Sequence, residues 1–151
     1  MTPLPSSDKM AAVVSGVTQT MLGLSFVPDS GATELSHLVW RTAILPIPGF
    51  RPITIGLSSD SSGCTTLSAA MFGCAPETVD QSMMNDSLCE LVNMTAGLLK
   101  SLMALDQALG LPKIVDSVAG VPAIPPTDGQ HAVILRAKQV GLVLWIIEGL
   151  A

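Results

Sequence analysis

The sequence has few charges, few aromatic residues and few cysteines. Charged residues make up 13% of the 151 residues, aromatic residues make up 3%, and there is no tyrosine. The core must therefore be built from aliphatic side chains and methionine, a composition that suits helices packed on a sheet. So little charge also indicates that a partner or a second copy covers part of the apolar surface.

Positive charge is scarce as well. Seven Lys and Arg against twelve Asp and Glu give a net charge of −5, and the chain contains no basic cluster. Binding to a nucleic-acid backbone is therefore not expected. The 48% of apolar residues argues against disorder. The length fits one domain, residues 1–151, with residues 1–7 as a flexible Pro/Ser-rich lead-in.

The three cysteines, Cys64, Cys74 and Cys89, are odd in number and form no CxxC pair. Neither a disulfide framework nor a zinc site is expected, and reduced thiols in a cytoplasmic protein are the simple interpretation. The N-terminus lacks the basic start and apolar run of a signal peptide. The longest apolar run, residues 140–151, is too short to span a bilayer and contains Glu148, so no membrane insertion is expected.

The first half of the chain predicts a helix followed by a β-hairpin. Asp8 caps a helix that runs to about Leu22, where Gly23 stops it. Residues 28–33 form a turn. Residues 35–45 form a strand that ends at Pro46, and residues 53–57 alternate as a strand with one buried face does. The two strands predict an antiparallel hairpin.

Two helices follow the hairpin. Asp60 or Ser61 begins a short helix that ends at Gly73 and turns three side chains to the core, namely Leu67, Ala70 and Met71. Pro76 opens a long helix that runs to about Leu109. A break near Asn85, which would divide this helix into two pieces, is an open alternative.

The remaining residues predict three strands. The first is short and contains Ile114, Val115 and Val118, and a Pro-rich connection over 121–129 follows it. The last two strands cover 132–137 and 140–149. The final one is nearly all apolar, which is typical of a strand buried on both faces. The predicted fold class is α+β, an antiparallel sheet packed with long helices.

The long helix carries a polar stripe opposite its apolar side. Wound at about 100° per residue, its polar positions fall within an arc of roughly 80°: Asp86, Glu90, Asn93, Gly97 and Lys100. The apolar side contains Leu88, Leu91, Val92, Thr95, Leu98, Leu99 and Leu102. A solvated helix face is the simplest interpretation of such a stripe. Gly97 and Asn93 are poor helix formers, however, and Gly97 would let a second surface approach closely.

The segment ELVNMTAG, Glu90 to Gly97, preceded by Asp86, resembles the signature of the CheC/CheX/FliY family of chemotaxis phosphatases, and most closely that of CheX. That signature is an Asp or Ser, three residues, Glu, two residues, Asn and a later Pro. The resemblance covers about residues 24–150. Pro112 lies 19 positions after Asn93, a few fewer than is usual in the family, which affects only the length of the loop.

The resemblance implies a phosphatase that hydrolyses the aspartyl phosphate of a phosphorylated CheY-like receiver domain. Asn93 would position the attacking water, and Glu90 would engage the receiver's lysine. Asp86 and Gly97 would contact the partner. No cofactor is implied on this chain, since the receiver supplies Mg²⁺. The resemblance also implies one active site per chain and a homodimer whose sheets join, for which the apolar C-terminal strand is suited.

Other candidate sites are weaker. His37 and His131 have no Ser or Cys nucleophile near them in sequence, and isolated histidines are usually structural. The segment GLSSDSSG, residues 56–63, lacks the Lys-Ser/Thr ending of a Walker motif, so turn chemistry between a strand and a helix explains it better. A non-catalytic module of the same fold, which binds receivers or flagellar-switch proteins, is the alternative function.

Overall fold

The computed structural model describes residues 3–29, 38–116, 131–138 and 140–149. In these residues, three helices and a six-stranded sheet follow one another along the chain. The helices are α1 (Ser7–Leu22), α2 (Ser61–Phe72) and α3 (Gln81–Leu102), and a 3₁₀ turn (Pro76–Thr78) precedes α3. The strands are β1 (Val27–Pro28), β2 (Arg41–Ile47), β3 (Ile53–Ser59), β4 (Lys113–Asp116), β5 (Ala132–Ala137) and β6 (Val140–Glu148).

The sheet has the strand order β1-β5-β6-β3-β2-β4, and every neighbouring pair is antiparallel. The predicted α+β class and the predicted β2–β3 hairpin are therefore confirmed. Two predictions are wrong in part: Pro28, predicted to start a turn, belongs to β1, and residues 38–40 of the predicted 35–45 strand precede β2. Most of that turn, residues 35–37, Val118 and the connection at 121–129 lie outside the described residues.

The three helices pack on one face of the sheet, where they form the main core. This core joins the inner side chains of the helices to alternate residues of the central strands, such as Ile53, Ile55 and Leu57 of β3. The opposite face has a smaller cluster around Trp145 of β6 and Val143, which Leu38 and Val39 help to bury. Period-two alternation places neighbouring strand residues on opposite faces, so the central strands supply both clusters.

Burial of both faces corrects the prediction for β3. Every residue of β3 is buried, whereas its alternating sequence predicted one buried face. Small residues occupy the second face because the Trp145 ring lies directly against Gly56. The prediction that β6 is buried on both faces is confirmed along most of the strand.

The position of β6 also removes one argument for a dimer. β6 lies between β5 and β3 and pairs with both, so it cannot join the sheet of another copy. Its apolar sequence is explained by burial inside one chain. The edges of the sheet in the described residues are β1 and β4. The homodimer itself stays a prediction.

Several predicted boundaries move by a few residues. Ser6, rather than Asp8, caps α1, because its side chain accepts a hydrogen bond from the backbone of Lys9 at 3.3 Å. The helix therefore begins inside the predicted flexible lead-in, and Gly23 ends it at a φ of 69° as predicted. β2 runs through Pro46 to Ile47 instead of stopping there.

Pro46 is tolerated inside β2 for a local reason. Its carbonyl points away from β3 and accepts a hydrogen bond from the backbone N–H of Gly110 at 2.7 Å. The nitrogen of a strand residue points to the same side as its carbonyl, and β4 pairs only with residues 41–44. No ladder hydrogen bond is therefore lost at this proline.

The short helix α2 agrees with its predicted ends. Asp60 accepts a hydrogen bond from the backbone N–H of Gly63 at 2.6 Å, and Gly73 ends the helix at a φ of 63°. Leu67 is buried and Met71 packs against the core, as predicted. The prediction for Ala70 is wrong, since this residue is exposed on the outer side of α2.

The long helix α3 is shorter than predicted and has no break at Asn85. Asp80 caps it by accepting a hydrogen bond from the backbone N–H of Met83 at 2.9 Å, so Pro76 only starts the preceding 3₁₀ turn. It ends at Leu102 rather than near Leu109. The segment that follows turns back to the β2–β3 hairpin, where the side-chain amide of Gln107 donates to backbone carbonyls.

The contact between Gly56 and Trp145 predicts a large loss of stability for Gly56→Ala. A Cβ atom at Gly56 would lie 2.0 Å from a ring carbon of Trp145. We expect the free energy of unfolding to fall by about 3 kcal/mol or more, because neither the buried ring nor the central strand can move away cheaply. Gly16→Ala is the control, since a Cβ there meets nothing within 4 Å. Denaturant unfolding measures both, and equal stabilities of the two variants would contradict the prediction.

Candidate functional site

The inner face of α3 determines which of its residues reach the surface. Its buried side chains recur every three or four positions and join the main core: Met84, Ser87, Leu88, Leu91, Val92, Thr95, Ala96 and Leu99. This face contacts β2, β3 and β4 as well as α1 and α2. With so many contacts on one side, the polar stripe is turned away from the sheet.

Arg41 at the start of β2 holds the first turn of α3 in place. Its side chain is buried and donates from Nε to the Asp116 carboxylate at 3.0 Å. The guanidinium also donates to both the side chain and the backbone carbonyl of Gln81, and it lies 4.6 Å from the centre of the Trp40 ring. A buried charge needs such partners. Nothing in the sequence pattern singled out this residue.

Glu90 and Asn93 both lie on the accessible side of α3. Glu90 is exposed and Asn93 is half-buried. Three residues of helix separate their backbones by about 4.5 Å along the axis, so the two side chains are neighbours. Within the part of the chain that the structure describes, neither side chain takes part in a hydrogen bond or an ion pair.

The geometry leaves the carboxylate of Glu90 and the amide of Asn93 free to act on something outside the molecule. The carboxylate can accept hydrogen bonds from a cation, while the amide offers one donor group and one acceptor. A half-buried amide has fewer orientations than an exposed one, because its neighbours on the helix limit its rotamers. The pair can therefore bind a polar group of another molecule in a defined position.

Asp86 and Gly97 extend the stripe in the two directions along α3. Asp86 is exposed one turn before Glu90, and Gly97 is half-buried one turn after Asn93. A Cβ built on Gly97 meets nothing within 4 Å, so no internal contact of the described chain requires glycine there. Lys100 is half-buried near the end of the same side.

Two residues of the predicted apolar side are not in the core. Leu98 is 48% exposed and Leu102 is 46% exposed, whereas the other five predicted members are buried. Met94 is exposed beside them. Helical spacing could not reveal this, because Leu98 and Leu102 share the side of the buried residues and their exposure depends on where the packed neighbours end.

The cysteines do not contribute to this face as reactive groups. All three are free thiols. Burial raises the pKa of Cys64 to about 12, with smaller effects from the charges of Arg41, Asp60 and Asp116. Partial burial, with the charge of Asp86, also raises the pKa of Cys89 above its ordinary value. Both thiols therefore stay protonated near neutral pH.

The other candidate sites stay weak. His37 lies outside the described residues, and His131 immediately precedes β5. The segment at 56–63 is the end of β3 and the capped start of α2, as turn chemistry predicted. The described residues contain no group of three or more His, Cys, Asp or Glu side chains that could hold a metal ion. Among the same residues, no helix combines the length and apolar character needed to cross a membrane.

The family model for the chemotaxis phosphatase CheX matches residues 41–134, which is more than half of the chain and includes the whole of α3. This chain belongs to the CheX family. The resemblance seen in the sequence is therefore confirmed at the level of the family. No curated protein matches the chain.

Solved structures share the CheX-like fold over nearly their whole length. CheX from Vibrio vulnificus is 16% identical with a TM-score of 0.73, covering 93% of this chain and 96% of that one. CheX from Desulfovibrio desulfuricans is 14% identical with a TM-score of 0.70 (95% and 98% covered). A CheX–CheY–BeF₃–Mg²⁺ complex from Borrelia burgdorferi is 15% identical with a TM-score of 0.65 (95% and 99% covered).

The open space above Gly97 predicts that Gly97→Ala stabilises the fold. Glycine in a helix interior costs about 1 kcal/mol relative to alanine, and the added methyl group meets no neighbour. We expect the free energy of unfolding to rise by about 0.5–1 kcal/mol, similar to the gain for Gly16→Ala in α1. Thermal and denaturant unfolding measure the change, and a destabilised Gly97→Ala would show that the backbone needs glycine.

Proposed function

We propose that this protein accelerates hydrolysis of the aspartyl phosphate on a CheY-like receiver domain. The observation that carries the proposal is the Glu90–Asn93 pair, which is free and accessible on the outer face of α3 in a chain of the CheX family. The partner class draws support from the Borrelia relative, which was solved together with CheY. We place this reaction in the cytoplasm, where receiver domains meet their kinases.

Asn93 acts by orienting water, not by removing its proton. A carboxamide does not titrate near neutral pH. Its oxygen can accept a hydrogen bond from the water, while its N–H group donates a hydrogen bond to a second acceptor atom. The water oxygen then attacks phosphorus in line as the bond from phosphorus to the aspartyl oxygen breaks. The aspartyl oxygen leaves with the electron pair of that bond as a free carboxylate, and the inorganic phosphate keeps both protons of the water, so no base is needed on Asn93. The glutamine of GTPases has a comparable positioning role.

Glu90 fixes the position of the receiver. Its carboxylate pairs with the lysine ammonium of the receiver's active site, one helical turn from the water held by Asn93. Asp86 contacts the partner further along α3 and contributes less. Gly97 allows the receiver's backbone to approach the helix. Mg²⁺ comes with the receiver, so this chain needs no metal site of its own.

The first test is the variant Asn93→Ala. We expect the acceleration of receiver dephosphorylation to fall by about 10²-fold or more, because an unaligned water attacks far less often. The decay of ³²P-labelled receiver, with and without the protein, measures this loss. Asn85→Ala is the matched control, since Asn85 is also a half-buried asparagine of α3 but lies on another side of the helix.

The fold should be unaffected by Asn93→Ala, because no hydrogen bond within the described chain depends on that side chain. A thermal midpoint close to that of the wild type would establish this. If the variant accelerates decay as well as the wild type does, the water-positioning role of Asn93 is wrong. A wild-type protein that binds receivers without accelerating decay would favour the non-catalytic binding module.

The second test is the variant Glu90→Ala. We expect the Kd for the receiver to rise roughly 30-fold, or about 2 kcal/mol, because the receiver's lysine loses its partner in a closed interface. Glu77→Ala is the control, since Glu77 is an exposed glutamate outside α3. Fluorescence anisotropy measures both. The difference between wild type and Glu90→Ala should shrink as salt is added, and equal affinities at low salt would refute the ion pair.

A further inference from the structure

Three residues of α3 are charged, and all three lie on the side of Asn93. They are Asp86, Glu90 and Lys100, in a helix of 22 residues. At about 100° per residue, each of them lies within roughly 60° of Asn93 around the helix. The buried residues of α3 occupy the opposite side. The charges of this helix are therefore confined to the surface on which the proposed reaction takes place.

The three charges form no favourable pair within the helix. Asp86 and Glu90 are one turn apart, and two like charges at this spacing repel each other. Lys100 has Ala96 and Gly97 at the positions one turn earlier, where an acidic neighbour would stabilise a helical lysine. Among the described residues, none of the three charged side chains takes part in an ion pair. Each charge can therefore pair with a group of another molecule.

Lys100 is half-buried, whereas Asp86 and Glu90 are exposed. For a lysine, half-burial means that part of the hydrocarbon stem is covered while the ammonium group stays in water. A stem that is already packed loses less side-chain entropy when the ammonium group binds an anion. Gly97 lies between Asn93 and Lys100 on the same side, and a Cβ built there meets nothing within 4 Å. A protein seated on Asn93 can therefore also approach Lys100.

The charges follow one another in a fixed order along α3. Relative to Asn93, Glu90 lies about 4.5 Å towards the start of the helix, and Lys100 lies about 10.5 Å towards its end. A specific partner covers about 800 Å² of each protein surface, which is a patch with a radius of roughly 16 Å. A partner centred on Asn93 covers both residues. Because the reversed orientation would bring like charges together, the order of the charges selects one direction of binding.

Lys100 also has a role in the isolated helix. It lies in the last turn of α3, where a cation stabilises the unpaired carbonyl groups. The same effect does not explain Asp86 and Glu90, because both lie beyond the first turn, where the influence of the helix dipole has faded. Stabilising the helix end changes thermal stability, whereas pairing with a partner changes affinity. An experiment can therefore separate the two roles of Lys100.

We propose that Lys100 binds a carboxylate of the receiver and thereby determines the direction in which the receiver lies on α3. This inference rests on the proposed function, because it takes the receiver as the partner seated on Asn93. Glu90 pairs with the receiver's lysine, and Lys100 pairs with an acidic side chain of the receiver about 15 Å further along the helix. Receivers without an acidic side chain at this distance from their lysine are poorer substrates.

The direct test is cross-linking with a carbodiimide, which joins a carboxylate and an ammonium group in contact by an amide bond while the carbodiimide takes up the elements of water. The full chain is mixed with a purified CheY-type receiver that beryllium fluoride and Mg²⁺ hold in its activated form. Mass spectrometry identifies the joined peptides. We expect Glu90 joined to a lysine of the receiver, and Lys100 joined to an acidic residue of the receiver.

Lys113 is the control within the same reaction. It is exposed in β4 and stands opposite Ile44, which belongs to the cluster on the sheet face away from the helices. We expect no cross-link from Lys113 to the receiver. A cross-link at Lys113 as strong as that at Lys100 would show that contact is not specific and would overturn the proposal.

The variant Lys100→Gln tests the effect on binding. We expect Kd for the activated receiver to rise about fivefold at low salt, and the difference to shrink as salt is added. Lys100→Arg should restore most of the affinity, and Lys113→Gln should leave Kd unchanged. In the decay assay, Lys100→Gln should raise KM more than it lowers kcat. If Lys100→Gln lowers only the thermal midpoint and binds as the wild type does, Lys100 stabilises the helix end and the proposal is wrong.

The results distinguish this inference from the proposed function. A cross-link at Glu90 without one at Lys100, while Asn93→Ala loses activity, overturns the role of Lys100 and leaves the phosphatase standing. Both cross-links without accelerated decay support the role of Lys100 and overturn the phosphatase. If no receiver binds, both fail. A product of twice the chain mass that joins Lys100 to Glu90 of a second copy, with a dimer in sedimentation equilibrium, would assign the charges to a dimer and overturn the receiver as their partner.

Discussion

The packing of α3 on the helix-covered face of the sheet is the constraint on which the rest of the structure depends. The helix buries one side against β2, β3 and β4, and this leaves a single orientation for its polar residues. β3 and β6 are buried on both faces, so the surface on which α3 rests is rigid. The buried guanidinium of Arg41 joins β2 to β4 and to the first turn of α3 through its hydrogen bonds to Asp116 and Gln81. The packing of α3 on the sheet therefore fixes where the residues on the outer face of the helix lie.

A rigid helix suits a chemistry that consists of holding one water molecule in place. In the proposed reaction the aspartyl phosphate is already an activated acyl phosphate, and the receiver would bring Mg²⁺ and a lysine, so this protein would have little else to add. In such a reaction a small displacement of the positioning group costs much of the rate. A side chain on a packed helix is held more closely than one on a loop. A position on the packed helix α3 therefore suits the proposed positioning role of Asn93 better than a position on a connecting loop would.

The outer face of α3 presents polar residues, with the exposed side chain of Met94 at its border. Among the described residues, Glu90 and Asn93 have no internal partner, and Met94 beside them exposes apolar surface that water solvates poorly. Gly97 lies one turn after Asn93 on the same side of the helix, and a Cβ built there meets nothing within 4 Å. The low charge content of the chain fits a surface of this kind, because part of the outside is then adapted to a partner rather than to water.

The sequence by itself determined the order of the elements except β1, the α+β class, the antiparallel hairpin and the polar stripe of α3, because hydrophobic period and helix-ending glycines are local signals. Only the tertiary structure decided that β3 is buried on both faces, that Pro46 lies inside a strand, and that Leu98 and Leu102 are exposed. Each of these depends on a neighbour distant in sequence, such as Trp145 against Gly56 or Gly110 beside Pro46. Helical spacing shows which residues lie on the same side of a helix. Only the packing against the sheet decides which of those residues are buried and which stay exposed.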